Sequence, residues 1–524
     1  MYLGRPIAPH KSYPAVEDAP AWAVYQREGL ERLTDIIEWW IDHRMQEDGQ
    51  YGGGWGDDCE MWRWWVPVLI GFDDPKIIAA QRRFSDALMN QPHMRLGYTT
   101  RMSDVEHTAE DSADVITPMM HLNPDSDLWS KRALRMADLM ESLWTGKNER
   151  GFLQFKSTYF AAEKVDTNPQ RACGTVYHPR AVQPTLLYWQ RTGDKRLTRL
   201  FSAWMDTWVD AAAQAERGKP AGIIPSAIHW PDGRIGGLGE NWWDPRNHGE
   251  HTLYAWPSAM SLMTHTLLLT HHMTGNGQYL EPIRSMVDIR LAYLAAPPKS
   301  TPTPGSKAWC ASQLGGLSSV VAKYRFLTGN TEFDPLIAKD ASAYMRFRLY
   351  GDTDVLVSAL RNSAEALRIN LAGYTSEVRY TDRVLRFPAL FASDGIVGRS
   401  VAAIHRPNPS LLYSTATGDP GNAGYFPLNA VRWLTPPRDI AVLVTDSGTD
   451  KFGAEMFHFG KKSRPMSAEF YLLKPGRYSL TIAAENTGGQ VPLQTRDFQV
   501  RGPRVRIPFE LPARKLCTLH VRPR

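Results

Sequence analysis

Apolar residues recur with a helical period along most of the chain before residue 385, in two kinds of segment that alternate. In the first kind one face is apolar: Leu30, Leu33, Ile37 and Trp40 follow at spacings of three and four residues, with charged residues between them. In the second kind apolar residues cover nearly every face, which is typical of a helix buried on all sides. The pattern predicts amphipathic helices at about 21–46, 76–90, 127–145, 194–215, 278–295 and 331–350. It predicts buried helices at about 59–71, 109–121, 178–191, 251–273, 309–327 and 354–372.

Three of the predicted buried helices end in the same short sequence. Thr192-Gly193-Asp194, Thr274-Gly275-Asn276 and Thr328-Gly329-Asn330 each separate a buried helix from an amphipathic one. Glycine takes the left-handed conformation that closes a helix, and Asp or Asn caps the next one. The chain therefore contains an internal repeat of helical hairpins, and about six of them predict an (α/α)6 toroid over residues 1–385.

After about residue 385 the period of the apolar residues changes to that of a β-strand. Ile440, Val442 and Val444 alternate with their neighbours, and three further stretches toward the C-terminus show the same alternation. The fold class predicted is mainly α with a C-terminal β domain, an antiparallel β-sandwich over residues 386–524.

Composition narrows the range of functions. With 22% charged and 43% apolar residues, the 524-residue chain resembles an ordinary globular protein, and a net charge of +5 without a Lys/Arg block gives no indication of nucleic-acid binding. No apolar run is long enough to span a membrane. No charged-then-apolar signal peptide opens the chain, so we expect either a cytoplasmic protein or one whose secretory or periplasmic leader has been removed. The oligomeric state stays open.

Eighteen tryptophans are many for this length, and several lie beside Gly, Asp or Asn. A flat aromatic face with polar neighbours suits a sugar ring, although helix packing explains a single tryptophan equally well. Residues 239–256 concentrate such side chains. There Trp242 and Trp243 are candidates for stacking on sugars, next to Asn241, Arg246 and an Asn-His pair.

Two features resemble known carbohydrate enzymes. The Thr-Gly-Asp and Thr-Gly-Asn turns are similar to those of α/α-toroid enzymes, among them unsaturated glucuronyl hydrolases and polysaccharide lyases. Arg246-Asn247-His248 resembles the Asn-His motif of uronate-cleaving toroid lyases, including the alginate-lyase-like and heparinase-II/III-like families, although their usual doubled Asn is here Arg-Asn. In those families Asn and His hold the substrate carboxylate, His or Tyr removes the C5 proton, and a Tyr protonates the leaving oxygen.

The resemblance implies that Asn247 neutralises the substrate carboxylate and that His248 is base or neutraliser. It implies that Tyr254 or Tyr177 donates the proton and that Arg246 or Arg180 adds positive charge. Such a set is needed because the C5 proton is weakly acidic until the carboxylate is neutralised and the developing enolate is stabilised. The predicted function is therefore a polysaccharide lyase that cleaves an acidic glycan by β-elimination, without cofactor or metal.

Other loops that precede buried helices are also polar, and we expect them to converge on the same cavity. His178 is a candidate second catalytic histidine, or else a capping or core residue. The candidate substrate-binding residues in these loops are Trp55, Asp57, Asp58, His107, Arg180, Glu377 and Arg379.

Two rival functions remain. Asp57 with Asp58 or Glu60 faintly resembles the carboxylate segment of inverting toroid cellulases, which favours a glycoside hydrolase of glucuronidase or unsaturated-glucuronyl-hydrolase type with Asp111 or Glu377 as the partner acid. Alternatively these aspartates only cap a helix. The other rival is a non-catalytic glycan-binding protein that uses Trp242 and Trp243.

Overall fold

The structure is a computed structural model of the chain. It describes residues 11–236, 239–244, 255–375, 406–421, 423–486 and 489–524. Its helices and its C-terminal antiparallel strands are those of the predicted fold class, whereas the short strands between residues 94 and 229 were not predicted from the sequence. The predicted boundary between residues 385 and 386 lies outside the described residues and stays a prediction.

Helices occupy the predicted segments, but two of them differ from the predicted burial. The helix predicted to be amphipathic at 21–46 also buries its charged residues Arg27, Glu31 and Arg32, whereas the one predicted to be buried at 354–372 is amphipathic, with Arg361 and Asn362 exposed. In chain order the helices are α1 (Ala21–His43), α2 (Trp55–Cys59), α3 (Trp62–Leu69), α4 (Pro75–Met89), α5 (Val105–Glu110), α6 (Ala113–Leu122), α7 (Asp127–Leu139), α8 (Gln183–Thr192), α9 (Lys195–Ala213), α10 (Met260–Thr274), α11 (Glu281–Ala295), α12 (Lys307–Gln313), α13 (Leu317–Thr328), α14 (Asp334–Asp340), α15 (Ala343–Tyr350), α16 (Thr353–Ile369), α17 (Leu371–Tyr374) and α18 (Pro409–Thr417).

Several predicted helices are divided where proline or a cap interrupts them. The segment predicted at 178–191 begins as a 3-10 turn, His178–Val182, and becomes α-helical at Gln183, with Pro184 in the first turn. The segment predicted at 331–350 is two helices, because Ser342 caps α15 through a hydrogen bond from the Met345 N–H.

The three repeated turns are confirmed. Gly193, Gly275 and Gly329 have φ values of +65°, +72° and +72°, and each closes its helix in the left-handed conformation. The next residue caps the following segment: Asp194 accepts from the Arg196 N–H at 2.7 Å, Asn276 from Gln278 at 3.0 Å and Asn330 from Glu332 at 2.8 Å. One local sequence thus builds the same turn three times.

The strands are short in the first half of the chain and long at its end. They are β1 (Met94–Arg95), β2 (Tyr98–Thr99), β3 (Ser103–Asp104), β4 (Thr145–Lys147), β5 (Leu153–Phe155), β6 (Tyr159–Phe160), β7 (Cys173–Thr175), β8 (Ala227–His229), β9 (Val431–Trp433), β10 (Ile440–Ser447), β11 (Phe452–His458), β12 (Arg464–Phe470), β13 (Gly476–Asn486), β14 (Gly489–Val500), β15 (Val505–Leu511) and β16 (Leu516–Pro523).

The chain forms two compact units. Unit 1 comprises Met1–Phe84, Ser342–Ala423 and Pro427–Arg524, and unit 2 comprises Ser85–Ala341 and Gly424–Phe426. In unit 1 the long strands form a five-stranded antiparallel sheet, in the order β10-β11-β16-β13-β14, and a three-stranded one, in the order β15-β12-β9.

One buried glutamine joins three elements of unit 1. Gln26 of α1 donates to the Thr415 hydroxyl of α18 at 2.9 Å and to the Val442 carbonyl of β10 at 2.6 Å, and its side-chain oxygen accepts from the Val442 N–H at 2.7 Å. The N-terminal helix and a C-terminal strand therefore share one core.

Unit 2 holds α5 to α14, the repeated turns, the small hairpins β1–β2 and β4–β5, and the antiparallel pairs β3–β6 and β7–β8, whose strands are far apart in the chain. Its core is rich in aromatic residues around α9, including Trp204 and Phe155 with ring centroids 5.2 Å apart. None of the described helices is both long enough and apolar enough to cross a membrane.

Candidate functional site

Part of the predicted site lies outside the described residues. Six predicted residues belong to that part: Arg246, Asn247, His248, Tyr254, Glu377 and Arg379. The remaining candidates fall in both units. Unit 1 contains Trp55, Asp57 and Asp58. Unit 2 contains the others: His107, Tyr177, His178, Arg180, Asn241, Trp242 and Trp243.

Two of the predicted polar segments in unit 2 meet at a buried arginine. Arg180 Nη1 donates to Glu106 Oε1 at 3.0 Å and to the Tyr177 hydroxyl at 2.8 Å. Its Nη2 donates to Asp114 Oδ2 at 2.6 Å and to Glu110 Oε1 at 3.3 Å. We call these five residues the Arg180 cluster. The two segments are thus in contact within unit 2, and the convergence of the polar loops on one cavity stays a prediction.

Local sequence explains how the cluster is assembled. Glu106 and Glu110 are four residues apart on α5 and so lie on one face of it, and Asp114 in the first turn of α6 bonds the same guanidinium. Arg180 and Tyr177 come from the 3-10 turn, whose second residue, Pro179, suits a first helical turn.

Burial and charge define the chemistry of the cluster. Arg180 is 1% exposed and Asp114 is fully buried, whereas the side chain of Glu106 is 19% exposed and forms the solvent-facing edge. One guanidinium faces three carboxylates. A buried guanidinium is stable only with such hydrogen-bonded partners.

The Tyr177 hydroxyl lies at the centre of this network. It accepts from Arg180 Nη1 at 2.8 Å and donates to Glu106 Oε1 at 3.2 Å. A donor and an acceptor thereby fix the orientation of the O–H bond. The arrangement positions a buried phenol for proton transfer next to a carboxylate that is partly exposed.

His107 forms an ion pair at the exposed side of the same helix. Its Nδ1 lies 2.8 Å from Asp104 Oδ1, and that hydrogen bond is the main reason why the pKa of His107 rises to about 9. Burial alone would raise the pKa of Asp104, but the hydrogen bonds from His107 outweigh it and lower this pKa. The side chain of His107 is 57% exposed, so it is a cation accessible to solvent at neutral pH.

His178 occupies a different environment. It is fully buried, its Nδ1 accepts from the Thr175 N–H at 3.0 Å, and its Nε2 lies 3.1 Å from the Ser157 carbonyl. Burial lowers the pKa of His178 to about 4. These contacts favour the interpretation of His178 as a neutral core histidine that holds the turn before α8.

Asp111, one of the candidate partner acids, follows α5 directly. Burial raises the pKa of its carboxyl group. The Thr99 hydroxyl donates to its Oδ2 at 3.3 Å, and His93 Nε2 lies 3.8 Å from the same oxygen. A carboxyl group that retains its proton more readily than usual is suited to act as a general acid.

The two predicted sugar-stacking tryptophans belong to a cluster of four. Trp242 lies 5.8 Å from Trp243 and 5.6 Å from Trp256, and Trp309 lies 6.1 Å from Trp243, between ring centroids. Trp242 is fully buried, so it supports its neighbours and has no free face for a sugar. Trp243 and Trp309 are half-buried, and Asn241 beside them is exposed.

In unit 1 the loop around Asp58 has its own structural explanation. Asp58 Oδ2 accepts from the Tyr51 N–H at 2.6 Å and Oδ1 from the Gly53 N–H at 3.0 Å, and its side chain is buried. Asp58 thus has a structural role, although it closes the loop before α2 and does not cap the helix as the alternative interpretation expected. Asp57 and Trp55 are half-buried in the first turn of α2, where Trp55 packs 5.4 Å from Phe84.

Sequence reasoning missed Asp114 and Asp104, and it placed Glu106 and Glu110 only as neighbours of His107. The signal was present, since Glu106, Glu110 and Asp114 recur every four residues. Nearest carboxylate oxygens of Glu106 and Glu110 lie within 4.8 Å. The expectation that no metal is bound stays a prediction.

Comparisons with known proteins do not assign the chain to a family. No protein-family model matches the sequence, and no curated protein matches it either. The functional argument therefore depends on the residues themselves.

Proposed function

We propose that the protein is a carbohydrate-active enzyme that cleaves an acidic oligo- or polysaccharide by β-elimination. The observation that carries the proposal is the Tyr177 hydroxyl, held between Arg180 and Glu106. The repeated helical hairpins support an (α/α)6 toroid as its scaffold, and the antiparallel C-terminal strands support a β-sandwich beside it.

In the proposed reaction Tyr177 is the proton donor to the leaving glycosidic oxygen. The O–H bond that donates to Glu106 Oε1 in the structure turns to the leaving oxygen and gives up its proton there, and the Arg180 Nη1 N–H then stabilises the phenolate that remains. His107, positively charged and exposed, attracts the anionic substrate toward the solvent-facing edge. Asn247 and His248 keep their proposed roles in neutralising the carboxylate and removing the C5 proton.

A second candidate is hydrolysis, and a specific observation favours it. Asp111, with its raised pKa, follows directly after Glu110, and the cluster holds three carboxylates against one guanidinium. This arrangement is suited to a pair of carboxyl groups acting as acid and base. In hydrolysis, water is added across the scissile glycosidic bond and no double bond forms.

The deciding experiment is incubation with uronate-containing polysaccharides, following both ultraviolet absorbance of an unsaturated product and new reducing ends. β-Elimination produces both signals, whereas hydrolysis produces reducing ends alone. We expect Tyr177→Phe to lower the elimination rate by about 100-fold or more, since one positioned proton carrier contributes that much.

The matched control is Tyr279→Phe. Tyr279 also donates to a carboxylate, Asp206, at 2.9 Å, so this variant loses the same kind of hydrogen bond elsewhere in unit 2. The elimination proposal is wrong if reducing ends appear without ultraviolet absorbance, or if Tyr177→Phe and Tyr279→Phe have equal activity. Loss of hydrolysis in Asp111→Asn and Glu110→Gln would establish the second candidate.

A further inference from the structure

A groove of about 600 Å³ crosses the surface of unit 2, next to the β1–β2 hairpin and α7. Its apolar lining is aliphatic and includes Leu96 and Leu128, which are 77% and 53% exposed. Its charged lining is largely positive: Lys131, Arg132, Arg135 and Arg196 face one acidic residue, Asp138. The volume is that of a typical ligand site, and the exposure of two leucines beside it is unusual for a solvated surface.

Two of the arginines have unused hydrogen-bonding capacity. Arg132 Nη1 and Arg135 Nε are shielded from water, and neither has a hydrogen-bond partner among the described residues. Arg196, in contrast, is bound to Asp138 and Glu141, each at 2.6 Å. These buried donors leave both guanidinium groups incompletely solvated, and an anion in the groove that the two arginines line would offset part of that cost through its charge.

Arg132 is held in place before any ligand arrives. Its guanidinium carbon lies 4.3 Å from the centre of the Trp129 ring, and its stem packs against Gly97, where an added Cβ would lie 2.8 Å from the Arg132 Cγ. A guanidinium stacked on an indole keeps its N–H edge directed sideways, in the geometry that binds a carboxylate through two hydrogen bonds. Burial also lowers the pKa of Arg132, which shows that water solvates it only in part.

Leu96 is an independent indication that the groove binds a ligand. It lies at the tip of the hairpin with φ +52°, followed by Gly97 at +90°. Asn or Gly would adopt this conformation at lower cost than leucine, whose side chain also gains nothing from exposure. A residue that is unfavourable for both backbone and solvent is typical of a binding site.

We propose that this groove binds an acidic peptide segment of a partner protein, with a carboxylate on Arg132 and Arg135 and an aliphatic side chain between Leu96 and Leu128. Three positive side chains without an ion-pair partner among the described residues match an anionic segment. The open, aliphatic lining favours a peptide over a sugar, which prefers aromatic faces, and over a fatty acid, which needs an enclosed tunnel.

Selection from a random ten-residue peptide library displayed on phage tests this with the full-length protein. We expect the wild type to enrich peptides that combine Asp or Glu with Leu, Ile or Val. The double variant Arg132→Met with Arg135→Met keeps unbranched apolar side chains at both positions but removes their charge, and it should no longer enrich these acidic-aliphatic peptides. The control, Lys299→Ala with Lys339→Ala, removes the same charge from exposed lysines outside the groove and should enrich it unchanged.

Leu96→Asn makes the test sharper. Asn suits φ +52° better than Leu, so we expect a melting temperature equal to or above that of the wild type together with at least tenfold weaker binding of an enriched peptide. Binding would be measured by fluorescence anisotropy with the labelled peptide and with its Glu→Gln counterpart.

Three outcomes would overturn the proposal. One is enrichment of the same peptides by the arginine double variant, or enrichment of no acidic-aliphatic class at all. Another is binding of an acidic oligosaccharide, but of no peptide, with the same dependence on Arg132. The third is a dimer that forms in solution and is lost in Leu96→Asn, which would assign the groove to a second copy of this chain.

Discussion

His107 and His178 show how far the surroundings of a residue decide its chemistry. Both precede or begin helical segments in unit 2, and both were candidates for the same site. His107 pairs with Asp104 in contact with water, and its pKa rises to about 9, whereas burial among aromatic rings lowers the pKa of His178 to about 4. At neutral pH one is therefore charged and the other neutral.

The first prediction concerns the titration of these two side chains. We expect NMR of the imidazole resonances to show His107 titrating near pH 9 and His178 still neutral at pH 6. In Asp104→Asn the pKa of His107 should fall toward its ordinary value of 6.5, because the hydrogen bond to Asp104 is its largest cause.

The same ion pair makes stability depend on pH in a defined direction. The pKa of His107 is higher in the folded protein than in the unfolded chain. The pair therefore stabilises the fold fully below about pH 6.5 and loses this contribution as the pH rises through about 9. A free energy of unfolding that changes equally in Asp104→Asn and wild type across this range would contradict the assignment.

At the scale of elements, the repeated turn is the clearest link between sequence and structure. In each of the three copies the glycine takes a positive φ and the next side chain caps the following segment. The threonine adds a bond, since its hydroxyl accepts from the N–H of the capping residue at 3.1 to 3.3 Å. Such local bonds need no partner from elsewhere in the chain.

The second prediction is that Gly193→Ala, Gly275→Ala and Gly329→Ala each destabilise the protein by about 1 kcal/mol. An added Cβ meets no atom within 4 Å at any of these glycines, so the loss comes from backbone strain alone. Denaturant midpoints of the single variants measure it.

Gly277→Ala is the matched control for this series. It also has open space around an added Cβ, but its φ is not in the left-handed region. We expect no destabilisation there. A loss at Gly277 as large as that at Gly275 would show that strain is not the cause.

At the scale of the whole molecule, the two compact units do not follow the order of the chain. Unit 1 combines the first 84 residues with the C-terminal strands, and unit 2 is formed mainly by the residues between. Gln26 shows why the ends associate, since its amide satisfies the Val442 backbone on β10 and the Thr415 hydroxyl on α18.

The third prediction follows from that glutamine. Gln26→Ala leaves the buried N–H and carbonyl of Val442 unsatisfied, so we expect a loss of about 2–4 kcal/mol in the free energy of unfolding. Hydrogen exchange should become faster in α1 and β10 together. Gln499→Ala on the exposed strand β14 is the control and should change little. Faster exchange confined to α1 would refute a shared core.

The sequence by itself determined the features that arise from neighbours along the chain. The spacing of apolar residues predicted the positions of α1, α9, α16 and the C-terminal strands, and the Thr-Gly-Asp and Thr-Gly-Asn sequences predicted three of the turns between helices. Both signals depend on contacts over a few residues. It also indicated that Tyr177, Arg180 and His107 occupy polar segments before buried helices.

Only the tertiary structure decided which of these side chains share a site and what each one does there. It brought Arg180 among Glu106, Glu110 and Asp114, buried Trp242 and His178, and closed a loop on Asp58. The physical reason is clearest at Arg180, whose carboxylate partners lie 66 to 74 positions away in the chain. No local pattern specifies such distances, whereas the packed core fixes them.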